Sequence, residues 1–267
     1  MSNDIKIKKG LNINLKGEAK KTVEQAIYSN FHVIRPEDFH SVLPRLVAKE
    51  GAIVKAGETV FHDKTNESIK YVSPVSGKIV QIERGPKRRI DAIKIQADKK
   101  QTYVTHSKIN LDNASSEVIK NALLSSGCWP FILQRPYDVV ANPEKSPKAI
   151  FISGYASAPL AADLDFTLQD KELELQAAVT ALTKLTDGEV HVSVGINTKS
   201  PLGSLSGVTI HKISGPHPSG NVGTLINKID PVNKGEVVWT VNPQDLVIIG
   251  ELLLTGKFNA ERIVALT

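Results

Sequence analysis

Two rhythms of apolar and polar residues divide the chain. Over residues 1–104 apolar positions recur at short range between glycine turns. Ile5, Ile7, Leu11, Ile13 and Leu15 follow a period near two, broken at Gly10. Ile53, then Val60 and Phe61, flank the turn at Ala56-Gly57. Ile69, Tyr71 and Val75 form the next rise, Ile79 and Ile82 follow Gly77, and Ile90, Ile93 and Ile95 alternate with charged residues. A period of two sends alternate side chains to opposite faces of a strand. This stretch therefore predicts short strands closed into a small barrel or sandwich. Gly51, Gly57, Gly77 and Gly85 mark places for a positive φ or a close backbone approach.

From residue 105 to 256 helical and strand patterns alternate, which predicts an α/β domain with a mainly parallel sheet. Asn113 is placed to cap a helix reaching Ser126, with Val118, Ile119, Ala122 and Leu123 on one face and Gly127 ending it. "KAIFISG" (148–154) has the continuous apolar character of a strand buried on both faces. Leu168, Leu175, Val179, Leu182 and Leu185 stripe a helix from about Gln169 to Thr186, with Gly188 beyond it. "EVHVSV" (189–194), "GVTIHKI" (207–213) and "GEVVWTV" (235–241) read as further strands. Asn242-Pro243 reads as a cap and first residue opening "QDLVIIGELLLTG".

With 267 residues, 41% hydrophobic and 23% charged, the chain has the composition of a two-domain globular protein. No run approaches the ~20 apolar residues of a membrane-spanning helix, and the N-terminus has no apolar signal region. The lone cysteine, Cys128, excludes an internal disulfide and any multi-cysteine metal or iron–sulfur site, and reads as a buried, inert thiol. Net charge is +5, with cations gathered at "RGPKRR" (Arg84–Arg89) and "DKK" (Asp98–Lys100). The run at 84–89 reads as a solvated turn or as a docking surface for anionic lipid or an acidic partner. Too few aromatics are interleaved for nucleic acid.

The sheet suggests nucleotide binding, yet its motifs are missing. Gly-x-Gly-x-x-Gly is absent, and "GELLLTGK" (250–257) has the wrong spacing for a P-loop and ends in Phe258. The glycine-rich "SGPHPSGNVGT" (214–224), with Gly215, His217, Gly220 and Gly223, reads as a rigid binding loop or a structural turn. Seven scattered histidines form no metal-binding pair, and no Gly-x-Ser-x-Gly elbow occurs. The chain is not expected to be a self-sufficient enzyme.

Two resemblances sharpen this. "EGAIVKAGETVFHDK" and "SPVSGKIVQIERG" resemble the biotinyl/lipoyl pattern, with Lys64 standing where a prosthetic group would be carried. The tip between Lys64 and Gly77 is stretched, which argues against modification. Taken whole, "KYVSPVSGKIVQIERGPKR" (70–88), "SGCWPFILQRPY" (126–137), "KAIFISGYASAPLAAD" (148–163), "SGPHPSGNVGT" and "VWTVNPQDLVIIGELLLTGKF" (238–258) resemble the A-subunit family of the Na⁺-translocating NADH:quinone oxidoreductases. The resemblance implies an N-terminal biotinyl/lipoyl-like barrel-sandwich hybrid (1–104), a Rossmann-like α/β domain (105–256), and a following domain opened and cut short at 257–267. It implies a peripheral subunit on the cytoplasmic face of the bacterial inner membrane. Its partners would be the other subunits, above all a membrane-embedded quinone-reducing one, and quinone itself. NADH, flavins and an iron–sulfur centre would belong to the complex, with no cofactor bound by this chain and no nucleic acid as partner.

The family is also similar to the corresponding subunit of the Rnf complex and to the flavin subunit of respiratory complex I, where a Gly-rich loop follows the first helix. Here that loop corresponds to "SSGCWPFILQRP" (125–136), in which only Gly127 remains, and Trp129 and Phe131 are expected to fill the phosphate space. The alternatives are a Lys64-modified carrier and a flavin- or nucleotide-binding subunit. Trp129, Phe131, Gln134, Arg135, Pro136 and Tyr137, with Phe31 and Arg35 of "NFHVIRPEDF", are expected to approach quinone or the membrane subunit, or else to pack a domain interface.

Overall fold

The computed structural model describes residues 4–17, 19–27 and 29–266. The N-terminal part forms two small antiparallel sheets around one core. β2 (Phe31–Ile34), β4 (Ile53–Val54), β7 (Gly77–Arg84) and β8 (Ile90–Ala97) make one, in the order β2-β8-β7-β4. β3 (Pro44–Leu46), β5 (Thr59–Asp63) and β6 (Lys70–Val72) make the other, in the order β3-β5-β6. Val54, Val60, Phe61, Ile79, Ile93 and Ile95 point between them and are buried. Gly77 is needed because a Cβ there would stand 2.0 Å from the carbonyl oxygen of Gln96. This is the expected barrel-sandwich hybrid.

The first predicted strand goes elsewhere. β1 (Asp4–Lys6) leaves the barrel and pairs in parallel with β13 (Thr209–Ser214), so Ile5 and Ile7 belong to the large sheet. Leu11, Ile13 and Leu15, expected to continue that strand, form none and are exposed. Their alternation lacks a partner strand, and alternation alone does not make a sheet.

The second domain begins with α1 (Ser116–Ser126). Its cap is Ser115, whose hydroxyl accepts the Val118 N–H, rather than Asn113. Ile119 and Leu123 are buried as expected, whereas Val118 faces solvent. Strands β9 (Ile132–Arg135), β10 (Val139–Val140), β11 (Ile150–Ser153), β12 (Val190–Gly195), β13 and β14 (Val238–Val241) join β1 in a seven-stranded sheet, ordered β1-β13-β12-β11-β14-β9-β10. From β1 to β14 the strands are parallel, and β9 and β10 add an antiparallel edge.

Between β11 and β12 the chain forms a short, unexpected α2 (Leu164–Thr167) and then α3 (Glu172–Thr183), which is the helix expected over about 169–186, a few residues shorter at each end. Asp163 caps α2 by accepting the amides of Asp165 and Phe166. The predicted stripe Leu168, Leu175, Val179, Leu182 and Leu185 is buried throughout. α4 (Val222–Ile229) covers the opposite face, with Ile226 on Phe151 and Val238. α5 (Pro243–Thr255) opens as expected, with Asn242 Oδ1 accepting the Gln244 N–H at 3.0 Å and Gly256 in the left-handed C-cap position.

α3 and α5 pack closely enough that Gly250 has no room for a side chain: a Cβ would lie 1.9 Å from the Glu174 carbonyl oxygen. Residues 257–266 carry no regular element. They run back along α5, where Gln244 bonds in both directions to the backbone of Ile263. No helix among the described residues is long and apolar enough to cross a membrane.

Gly250→Ala is expected to cost about 1–3 kcal/mol in chemical denaturation through forced separation of α3 from α5. Gly223→Ala, a helical position with nothing within 4 Å, is expected to be neutral or to gain up to about 1 kcal/mol.

Candidate functional site

The turn after β9 is built from Arg135, a cis Pro136, Tyr137 and Asp138. Arg135 pairs with Asp138 at 3.1 Å. His40 reaches the same turn from the barrel, with Nδ1 2.9 Å from the Asp138 carbonyl oxygen and 3.6 Å from its carboxylate. That tie draws residues 36–44 against Tyr137. Between them lies a cavity of about 450 Å³, lined by Pro36, Phe39, His40, Val42, Arg89 and Tyr137 among others. The Tyr137 ring is 80% exposed, so it stands at the mouth rather than in the core. Phe39 is held from behind, edge-on to Tyr71 at 4.7 Å. Phe39, Val42, Pro44 and Tyr137 give the slot apolar and aromatic walls, and Glu37, His40, Ser41 and Arg89 its polar groups.

The other residues expected at this site are dispersed. Trp129 is buried, donates its indole N–H to the Ala141 carbonyl at 2.7 Å, and meets Trp239 edge-on at 5.4 Å. Phe131 stacks on Phe258 at 6.1 Å, with the Arg262 guanidinium 5.4 Å from its ring centre. Gln134 is buried and accepts the Asn142 N–H. Phe31 lies on the outer face of β2, 4.6 Å from the Lys94 ammonium, and Arg35 is exposed. Of the two stretches, only the Tyr137 turn and the segment just after Arg35 converge. Phe39 ends the expected stretch 30–39, whereas His40 and Arg89 lie outside it, because their meeting depends on contacts about 50 and 100 residues apart in sequence.

A second cavity, of about 570 Å³, opens at the carboxyl ends of β11, β12 and β13, the usual place for a ligand on such a sheet. Gly154 and Tyr155, Gly195 to Thr198, and Asp163 to Asp165 line it. Asp165 accepts the Thr198 hydroxyl at 2.5 Å and the Lys199 N–H at 2.7 Å, and Asp163 pairs with Lys21 at 2.6 Å. Two carboxylates facing the crevice oppose a phosphate there.

The 214–224 loop borders this edge as a braced turn. Gly215 has φ +125°, and a Cβ there would stand 2.1 Å from the Ile7 carbonyl oxygen. Gly220 donates to Ser157 Oγ at 2.8 Å, and that oxygen lies 3.1 Å from His217 Nδ1. The His217 carbonyl accepts from Leu11 at 3.0 Å, and Gly223 opens α4 in open space. The Ser157–His217 pair thereby ties the loop to residues 155–157.

Lys64 is exposed on the six-residue loop joining β5 to β6, its N–H donated to the Leu43 carbonyl at 2.7 Å. Asp63 and Asn66 close Asx turns within that loop, giving it a shape unlike a two-residue hairpin tip. Cys128 is fully buried, and burial pushes its thiol up to about 12. No cluster of three metal-ligating side chains occurs among the described residues.

A barrel-sandwich hybrid followed by an α/β domain with a mainly parallel sheet defines a class of two-domain proteins. Residues 5–98 match the NqrA N-terminal barrel-sandwich hybrid domain, and residues 114–258 match the NqrA second alpha/beta domain. The chain belongs to this NqrA family. It is 35% identical to the A subunit of the Na(+)-translocating NADH-quinone reductase of Alcanivorax borkumensis, over 98% of this chain and 59% of that protein. The protein of the same name from a Marinomonas species is 34% identical over 97% of this chain and 58% of its own length, and that of Neisseria meningitidis serogroup A is 33% identical over 98% and 59%. The chain thus spans about three fifths of the length of these curated relatives.

Two buried groups give stability opposite pH dependences. Burial raises the Asp245 carboxyl from 3.8 to about 6, against the pull of Arg262. Between those values the folded chain keeps a proton that the unfolded chain releases, so this group lowers stability as pH rises through that window. His191 and His211, 3.1 Å apart on neighbouring strands, are both depressed, chiefly by burial. Below about 6.5 the unfolded chain takes up protons that the folded pair refuses, so stability falls as pH falls. Thermal melts across pH 4–8 are expected to lose the first dependence in Asp245→Asn and the second in His191→Phe/His211→Leu.

Proposed function

We propose that this chain is the peripheral, cofactor-free subunit of a sodium-pumping NADH–quinone reductase, and that it presents a slot for the quinone head group beside the membrane-embedded quinone-reducing subunit. The observation that carries this reading is the junction cavity with Phe39, His40, Arg89 and Tyr137 around it. A quinone is a flat apolar ring with two carbonyl acceptors. Phe39 and Tyr137 offer ring contacts, while the imidazole, guanidinium and phenol offer hydrogen-bond donors. The names of the relatives support the same assignment, since they describe an NADH-quinone reductase that translocates Na⁺. NADH, flavins and the iron–sulfur centre are then handled by other subunits, and this chain sits on the cytoplasmic face.

A nucleotide in the sheet-edge crevice is the second reading. Its place at the carboxyl ends of three parallel strands favours it. The aspartates at 163 and 165 and the filled turn at Gly127–Trp129 oppose it.

Photoaffinity labelling with a quinone azide, carried out on the full-length protein in its assembled complex, is expected to mark residues 36–44 and 136–138. Tyr137→Ala is expected to weaken labelling by up to about tenfold, the equivalent of one aromatic contact. Label confined to other segments, or unchanged in that variant, contradicts the assignment.

A further inference from the structure

The β7–β8 hairpin runs past its neighbours. β4 pairs only with Gly77 and Lys78 of β7, and β2 only with residues 93–96 of β8. The far end is a two-stranded ribbon closed by residues 85–89, where Gly85 donates to the Arg89 carbonyl at 2.9 Å. Four cations, Arg84, Lys87, Arg88 and Arg89, stand exposed on six consecutive residues. Arg89 is paired with Asp91 at 2.7 Å, and Arg84 donates to the Arg88 carbonyl at 3.2 Å. The side chains of Lys87 and Arg88 have no hydrogen-bond or ion-pair partner among the described residues. Both residues hold positive φ, 55° and 62°. Glycine or asparagine would sit there with less strain, so the turn keeps two unpaired cations at a conformational cost.

We propose that this tip seats the protein on an anionic membrane surface, its cations lying among lipid phosphates. Charge complementarity selects the occupant. Residues 30–100 hold fourteen Lys and Arg against nine Asp and Glu, a net +5 equal to that of the whole chain. The tip carries no aromatic and no large aliphatic side chain, only Pro86. An acidic protein partner would need an apolar anchor to seat firmly, whereas a headgroup layer needs only clustered positive charge near its surface. Arg89 and Ile90 also line the junction cavity, so a seated tip holds the mouth of that cavity toward the bilayer. The seat is a separate claim from quinone binding, and its test contains no quinone.

The 267-residue chain is sedimented with phosphatidylcholine vesicles with and without phosphatidylglycerol. Binding is expected only to the anionic vesicles and is expected to weaken with salt. Lys87→Ala/Arg88→Ala is expected to lower partition by roughly 25-fold, about fivefold per cation, with unchanged circular dichroism. Lys99→Ala/Lys100→Ala, away from the tip, is expected to lose far less. Equal binding to neutral vesicles, or an equal loss in both double variants, overturns the proposal. Displacement by millimolar inorganic phosphate would assign the tip to free phosphate instead. Tighter binding to polyglutamate than to anionic vesicles would assign it to an acidic protein.

Discussion

The turn between α1 and β9 has no spare room, and the arrangement of the two domains depends on that. Gly127 sits there at φ +79°, and a Cβ on it would lie 2.5 Å from Cγ1 of Val72 on β6. The barrel therefore rests directly on the backbone of this turn. Two residues on, Trp129 passes under the barrel and locks against Trp239 and the Ala141 carbonyl. A buried indole with its N–H satisfied is among the more rigid anchors a core can contain. It fixes the start of β9, and β9 carries Arg135, Pro136 and Tyr137 to the junction. The same contact that joins the domains thus aims Tyr137 at Phe39 and His40.

This constraint also separates architecture from ligand. The sheet keeps its parallel order and its crevice at the carboxyl ends of β11, β12 and β13. In a nucleotide-binding sheet, phosphate approaches open backbone amides at a glycine-rich turn. Here the turn after α1 is filled by Val72 on one side and indole on the other, while the crevice presents Asp163 and Asp165. The first place is occupied by packed side chains, and the second carries Asp163, paired with Lys21, and Asp165, bonded to Thr198 and Lys199. The exposed aromatic and donor groups lie instead at the seam between the domains, where a flat neutral ring meets fewer penalties.

Much of the fold was legible because local rules and tertiary packing agreed. Asn242-Pro243, Gly127 and Gly256 punctuate helices as their chemistry dictates, and the stripe from Leu168 to Leu185 is buried on and around α3. The short α2 ahead of it was not legible, because Asp163 caps it through its own side chain, a local bond that periodicity does not register. The strand at Asp4–Lys6 was legible as a strand but not by its sheet, since pairing with residues 212–214 is a contact across the whole chain. The site was legible in half. Tyr137 stood out as an aromatic in an Arg-Pro-Tyr run. His40 was one of seven unremarkable histidines until the Asp138 turn came within 2.9 Å. Trp129, a large apolar residue in the same run, is buried in the core instead.

The central claim is that Val72 and Trp129 fill the turn after α1, leaving its backbone amides no room for a phosphate. Titrating the chain with FMN and with NADH while following tryptophan fluorescence tests it directly, since Trp129 lies in that turn and Trp239 of β14 packs against it. The account predicts only linear, unsaturable quenching by either compound. Saturable quenching at micromolar concentration, abolished by a substitution in the Gly127–Trp129 turn, would contradict it.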